Sequence, residues 1–213
     1  MRIKRYGTAQ QLKEKETMKN IPTGWEYKES DSYPLAATLT RGNVRVVVSY
    51  LEGTDCPLEG YDTIELLPLA YPRLSRYDYA YDTLGVAYAM RDAANYASDD
   101  DAYRDAILKH CTRQGYATIV RSWRGYSQGD WFDYVLISDD MTAETLAAIA
   151  DEFESWLAGD VFVATTESRA IYANIADPDD TIERWLPVES VGEYYGPYWE
   201  LDAKDILSDL DVL

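Results

Sequence analysis

The sequence predicts an α+β fold, a largely antiparallel sheet packed against a few helices. Two observations carry this. The apolar spacing along the 213 residues changes in blocks: strands, two helices, a hairpin, a helix, a second hairpin and a last helix. Strand-like runs mostly follow one another across short turns, which favours antiparallel pairing over the strand–helix–strand repeat of a parallel sheet.

Residues 8–17 read as a short charged helix, with Thr8 as cap and Gln11 three residues on. Lys19-Asn20-Ile21-Pro22-Thr23-Gly24 then breaks the chain. Residues 1–20 are therefore taken as an N-terminal basic arm and 21–213 as one α+β domain. Residues 35–40 and 44–51 form a hairpin pattern, because β-branched residues flank Arg41-Gly42-Asn43. Residues 63–67 are a shorter strand candidate. Helical spacing begins near residue 80, with Tyr81, Leu84 and Tyr88 on a helix to about Ala97. Ser98-Asp99-Asp100-Asp101 starts another, since Ser and Asp cap helices and acids suit the positive N-terminal end. On it Tyr103, Ala106, Ile107, His110 and Cys111 share one stripe.

Residues 116–123 and 131–137 read as strands around a Gly-rich turn. Residues 142–158 give the clearest helix, with Leu146, Ile149, Ala150, Phe153, Trp156 and Leu157 as its apolar stripe and Gly159 as its stop. Residues 161–165 and 169–175 are expected to pair as a hairpin. The tail, 201–213, is amphipathic, with Ile206, Leu207 and Leu210 on one side.

Charge divides the chain unevenly. Residues 1–50 hold nine Lys/Arg against five Asp/Glu, and residues 51–130 hold eight against thirteen. Residues 131–213 hold three against twenty, so the last part carries −17 of a total of −18. Solubility alone needs a magnitude of only about 2–8 in a small domain. The sign argues against direct nucleic-acid binding, which wants a basic surface. No apolar run approaches the roughly 18 residues of a membrane span. The basic start has no apolar stretch behind it, so no signal peptide is expected. Two cysteines make no disulfide framework, which suits a reducing cytoplasm.

Gly125-Tyr126-Ser127-Gln128-Gly129 resembles the G-x-S-x-G nucleophile elbow, as in cutinase-like esterases. That elbow sets a serine on a turn from strand to helix, with acid and histidine later in the chain. Here a strand-like run, Trp131 to Ile137, follows the turn. The one histidine, His110, precedes the serine. Turn chemistry explains these glycines and the serine as well as catalysis does. His110 lies on an apolar stripe, where a core role outweighs a catalytic or metal role. Cys56 and Cys111 form no Cys-x-x-Cys pair, and no second histidine completes a zinc site. Asp177-Pro178-Asp179-Asp180, with Glu183, is the best oxygen-ligand cluster. It lacks the spacing and glycine of an EF-hand, and a helix-starting turn accounts for it. No cofactor is expected. Nineteen Tyr and six Trp are many for this length, and such rings serve interfaces as well as half-exposed sheet faces.

The stretch Arg124-Gly125-Tyr126-Ser127-Gln128-Gly129-Asp130-Trp131, followed by Trp156-Leu157-Ala158-Gly159-Asp160-Val161-Phe162, resembles small acidic proteins of unassigned activity from phages and mobile elements of actinobacteria. Trp185 and Glu189-Ser190-Val191-Gly192-Glu193-Tyr194-Tyr195-Gly196 suit the same pattern. The resemblance spans about residues 115–200 and implies a mobile-element context, with no catalytic residues to carry over.

The reading is therefore a non-enzymatic acidic interaction protein. Its partner would be a basic protein, a DNA-binding host-defence enzyme of restriction or CRISPR type that it blocks as a DNA mimic. The partner-binding carboxylates would be Asp139, Asp140, Glu144, Asp151, Glu152, Glu154, Asp177, Asp179, Asp180 and Glu183, standing where phosphates sit. Glu144, Asp151 and Glu154 lie off the apolar stripe and are expected to be exposed. Two alternatives stay open: a small serine hydrolase on the Ser127 turn, or another small-molecule enzyme using the 177–183 cluster, and a plain soluble domain with no decoy role.

Overall fold

A computed structural model describes residues 17–69, 84–90, 99–124, 131–174, 177, 179–198 and 200–213. The helix expected over 8–17 and most of the one expected over 81–97 lie outside these residues, as does Ser127. The fold is α+β, with two antiparallel sheets rather than one. The described chain divides into two interleaved compact units, one within 1–49, 163–192 and 197–213, the other within 50–162 and 193–196.

In the first unit the leading strands are β1 (Glu26–Glu29), β2 (Leu35–Arg41) and β3 (Val44–Tyr50). Arg41 pairs with Val44 across the two-residue loop Gly42-Asn43. Gly42 has φ +60°, the left-handed backbone that a two-residue hairpin loop asks of its first position. The sheet order is β1-β2-β3-β7-β8, where β7 is Val161–Ala173 and β8 is Thr181–Tyr195. The core takes Ala37, Leu39, Val46, Val48 and Ala164 from the strands. It takes Ala203, Ile206, Leu207 and Leu210 from the C-terminal segment. That segment forms a helix, Ala203–Asp209, whose first turn is capped by the Asp202 side chain. The end of the supposed arm belongs to this unit: Met18 is buried, and Lys19 exchanges backbone hydrogen bonds with Leu201 and Ala203.

The hairpin expected between 161–165 and 169–175 is one continuous strand instead, β7, and its partner is β8. Ser168 and Arg169 mimic a turn in sequence, yet both lie on an exposed stretch of strand. Asp177, Asp179 and Asp180 lie between the two strands, none of them is helical, and the element that follows them is strand β8 rather than the helix expected.

The second unit is a three-layer arrangement around the sheet β4-β6-β5, with β4 Ile64–Pro68, β5 Ala117–Arg124 and β6 Trp131–Ser138. Its helices are α1 (Val86–Ala89), α2 (Asp100–Gln114) and α3 (Ala143–Ala158), so the C-terminal helix is α4. Successive residues of a strand point to opposite faces. Ile64, Leu66, Tyr134 and Leu136 pack with Leu146, Ile149 and Phe153 of α3. Leu67, Val135 and Ile137 pack with Tyr103, Ile107 and Cys111 of α2. Cover on both faces explains why β4 and β6 read as nearly unbroken apolar runs.

The helix ends follow their sequence signals. Asp99 accepts the Ala102 N–H at 2.7 Å, and Thr142 accepts the Thr145 N–H at 3.2 Å. Gly115 and Gly159 close α2 and α3 at φ +78° and +77°. A charged residue lies in the core of this unit. Glu65 is fully buried, and its carboxylate accepts the backbone N–H groups of Leu84, Val86 and Ala87 at 3.0, 3.1 and 2.6 Å.

Candidate functional site

The ten carboxylates singled out from sequence fall into two groups, each on its own unit. Asp139, Asp140, Glu144, Asp151, Glu152 and Glu154 lie on the β6–α3 connection and on α3. Asp177, Asp179, Asp180 and Glu183 lie at and beside the tip of the β7–β8 ribbon.

In the first group Asp139, Asp140, Glu144 and Asp151 are exposed. Buried Ser138 shapes the turn before α3: its hydroxyl donates to Asp140 at 2.9 Å and accepts the N–H of Met141 at 3.2 Å. Asp151 is paired with Arg121, Nη2 to Oδ1 at 2.9 Å. Glu154 is not exposed as expected. It is half-buried and accepts the Tyr134 hydroxyl at 2.9 Å. Burial, then the charge of Glu154, pushes the Tyr134 phenol far above its usual range. Glu152 is also half-buried, and desolvation raises its carboxyl pKa. Asp139 and Glu144 therefore offer the least encumbered negative charge here, with Asp140 beside them. Glu144 also sits in the first turn of α3, where the helix dipole favours an acid.

At the ribbon tip the carboxylates partly serve the turn. Asp177 accepts the Asp179 N–H at 3.2 Å, an Asx-type bond, and Asp180 accepts the Asn174 side-chain amide at 3.2 Å. Glu183 is ion-paired with Arg169 across the two strands. All four are exposed.

The hydrolase features are not assembled by the described residues. β5 and β6 are antiparallel neighbours, paired from Ala117–Ser138 to Arg124–Trp131. A strand therefore stands where the elbow would place a helix. His110 is half-buried on α2. Among the described residues no three His, Cys, Asp or Glu side chains are placed to hold a metal ion. An open depression of about 580 Å³ is lined by Asp105, Leu108, Lys109, Thr112 and Arg113, without a nucleophile–base pair. No helix among the described residues is long and apolar enough to cross a membrane.

Both cysteines are buried, and neither is in a disulfide. Burial, with the charge of Glu65 adding, pushes the Cys111 thiol from the usual value of about 8.5 up to about 11. Below the usual range both folded and unfolded chains hold the proton, so the folded preference for the neutral thiol contributes in full. Between the two values the unfolded chain ionises first, and stability is lost as pH rises through about 11. Denaturation midpoints should fall over this alkaline window, and Cys111→Ala should make the fall shallower. An equally steep fall in the variant would remove Cys111 as its source.

No protein-family model, no curated protein and no solved structure matches the chain.

Proposed function

We propose that the chain is a non-enzymatic acidic interaction protein that engages a basic partner in the cytoplasm. In its sharpest form the partner is a DNA-binding defence enzyme, of restriction or CRISPR type, and the chain occupies its DNA site on behalf of a mobile element. The observation that carries the reading is the placement of charge. Residues 131–213 hold twenty acids and three bases. Two clusters of exposed carboxylates stand out in that stretch, Asp139-Asp140-Glu144 and Asp177-Asp179-Asp180. One of its three bases, Arg169, is occupied by Glu183. Fixed carboxylates on turns and a helix end can satisfy Lys and Arg side chains as phosphates do, and they contain no bond for a nuclease to cut.

The test is inhibition of DNA cleavage by a panel of purified restriction and CRISPR nucleases. Wild type should inhibit at least one of them. The joint change Asp139→Lys, Asp140→Lys and Glu144→Lys, or the same reversal at 177, 179 and 180, should weaken that inhibition with the melting curve kept. Asp151, Glu152 and Glu154 make a poorer set, because reversal there also breaks the Arg121 and Tyr134 contacts. Absence of inhibition across the panel, or inhibition unaltered by both reversals, would remove the reading.

A further inference from the structure

We propose that the open edge of β8, from Thr181 to Trp185, accepts an extended segment of the partner as an added strand, with alternating apolar and basic side chains. This rests on the basic-partner reading above and gives it a docking element. β8 is the last strand of its sheet, and among the described residues nothing pairs with its outer side. The Asn174 N–H donates to the Asp180 carbonyl at 2.9 Å. Backbone groups alternate sides along a strand, so Asp180, Ile182 and Arg184 address β7 while Thr181, Glu183 and Trp185 turn their N–H and C=O groups outward. Pro187 has no N–H to offer and ends the outward ladder there.

The ribbon also exposes large apolar side chains. Ile182 is 55 % exposed, Val188 65 %, Leu186 38 % and Tyr172 48 %. The same register sets Tyr172 opposite Ile182, an apolar pair in water. An edge that is open, apolar and 15 residues long is one that soluble proteins normally cover or blunt.

Charge selects the occupant. No Lys or Arg lies between Arg169 and Arg184, whereas Asp177, Asp179, Asp180 and Glu183 do. A second copy would bring the same acidic tip and a further charge of −18. A basic strand gains from that field. Its cations would lie towards the acidic tip, because Glu183 is already paired with Arg169 and Arg45 stacks on Trp185 of the same face. Its apolar side chains would cover Ile182 and Leu186, the face that Arg184 closes to cations.

The experiment uses a labelled peptide of about six residues, a common strand length, alternating lysine and valine. Two controls are added: the same peptide with alternate backbone nitrogens methylated, and a threonine–valine peptide. Binding should slow amide exchange at Thr181, Glu183 and Trp185. Methylation of the peptide, or Thr181→Pro in the protein, should weaken binding by about tenfold, the loss of one or two backbone hydrogen bonds. Equal, salt-sensitive binding of the methylated and plain peptides would overturn strand addition and leave the acidic reading standing. Equal binding of the threonine–valine peptide would overturn the basic occupant of this edge. No binding of the plain peptide, or three unprotected amides, would also overturn the proposal.

Discussion

Glu65→Ala should be among the most damaging single changes in the second unit, costing about 3–5 kcal/mol, the range for stranding a buried charged or hydrogen-bonded group. The carboxylate sits at a core position of β4, on the face that Leu67 shares with α2. It is held there by three backbone donors at the start of α1, Leu84, Val86 and Ala87. Alanine leaves those N–H groups without their acceptor, at a position where the Glu65 side chain is wholly buried. Glu65→Gln should recover part of the loss, because one amide oxygen still accepts while the NH₂ group faces a donor. Urea denaturation gives the magnitude, and amide exchange at Leu84, Val86 and Ala87 gives the location. A midpoint unchanged in Glu65→Ala would show that the carboxylate is not the clasp of this segment.

Phe153→Ala should cost about 3–5 kcal/mol, as expected for a fully enclosed aromatic side chain. Phe153 is completely buried on the inner face of α3. Its ring meets Tyr134 edge-on at 5.5 Å and stacks on Trp156 at 6.0 Å. Trp156 is in turn tied by its indole N–H to the Thr54 carbonyl at 3.1 Å. The cavity would open between α3 and the centre of β6, which is held in place by its strand pairs with β4 and β5. Phe153→Leu should recover most of the loss. A melting curve unaltered by the alanine would mean that the α3 stripe is not packed on the sheet.

What was legible in the sequence tracks which residues carry a local signal. Helix α3 shows its cap at Thr142, its stop at Gly159 and its buried Leu146, Ile149 and Phe153 within one short stretch. Gly42 and Asn43 announce the β2–β3 hairpin by turn chemistry alone. Strand β8 was missed because a strand in water on both faces has no inside to alternate with, and Pro187 and Gly192 further broke its pattern. The state of the carboxylates could not be read either. Asp151 and Glu154 are engaged by Arg121 and Tyr134, which are 30 and 20 residues away. For Glu65 a signal did exist: a lone acid inside the apolar run 64–68 requires buried donors, and the segment after residue 84 supplies them.

The central claim is that the acidic surface does its work through charge on a protein that otherwise holds DNA. Its most direct test is the affinity of the chain for an inhibited nuclease, measured from about 0.1 M to about 1 M salt, over which the screening length shrinks from about 10 Å to about 3 Å. Duplex DNA is titrated in as competitor at each salt. The account predicts a steep loss of affinity with salt and displacement by DNA. A complex indifferent to salt, or one in which DNA and the chain bind the nuclease together, would contradict it.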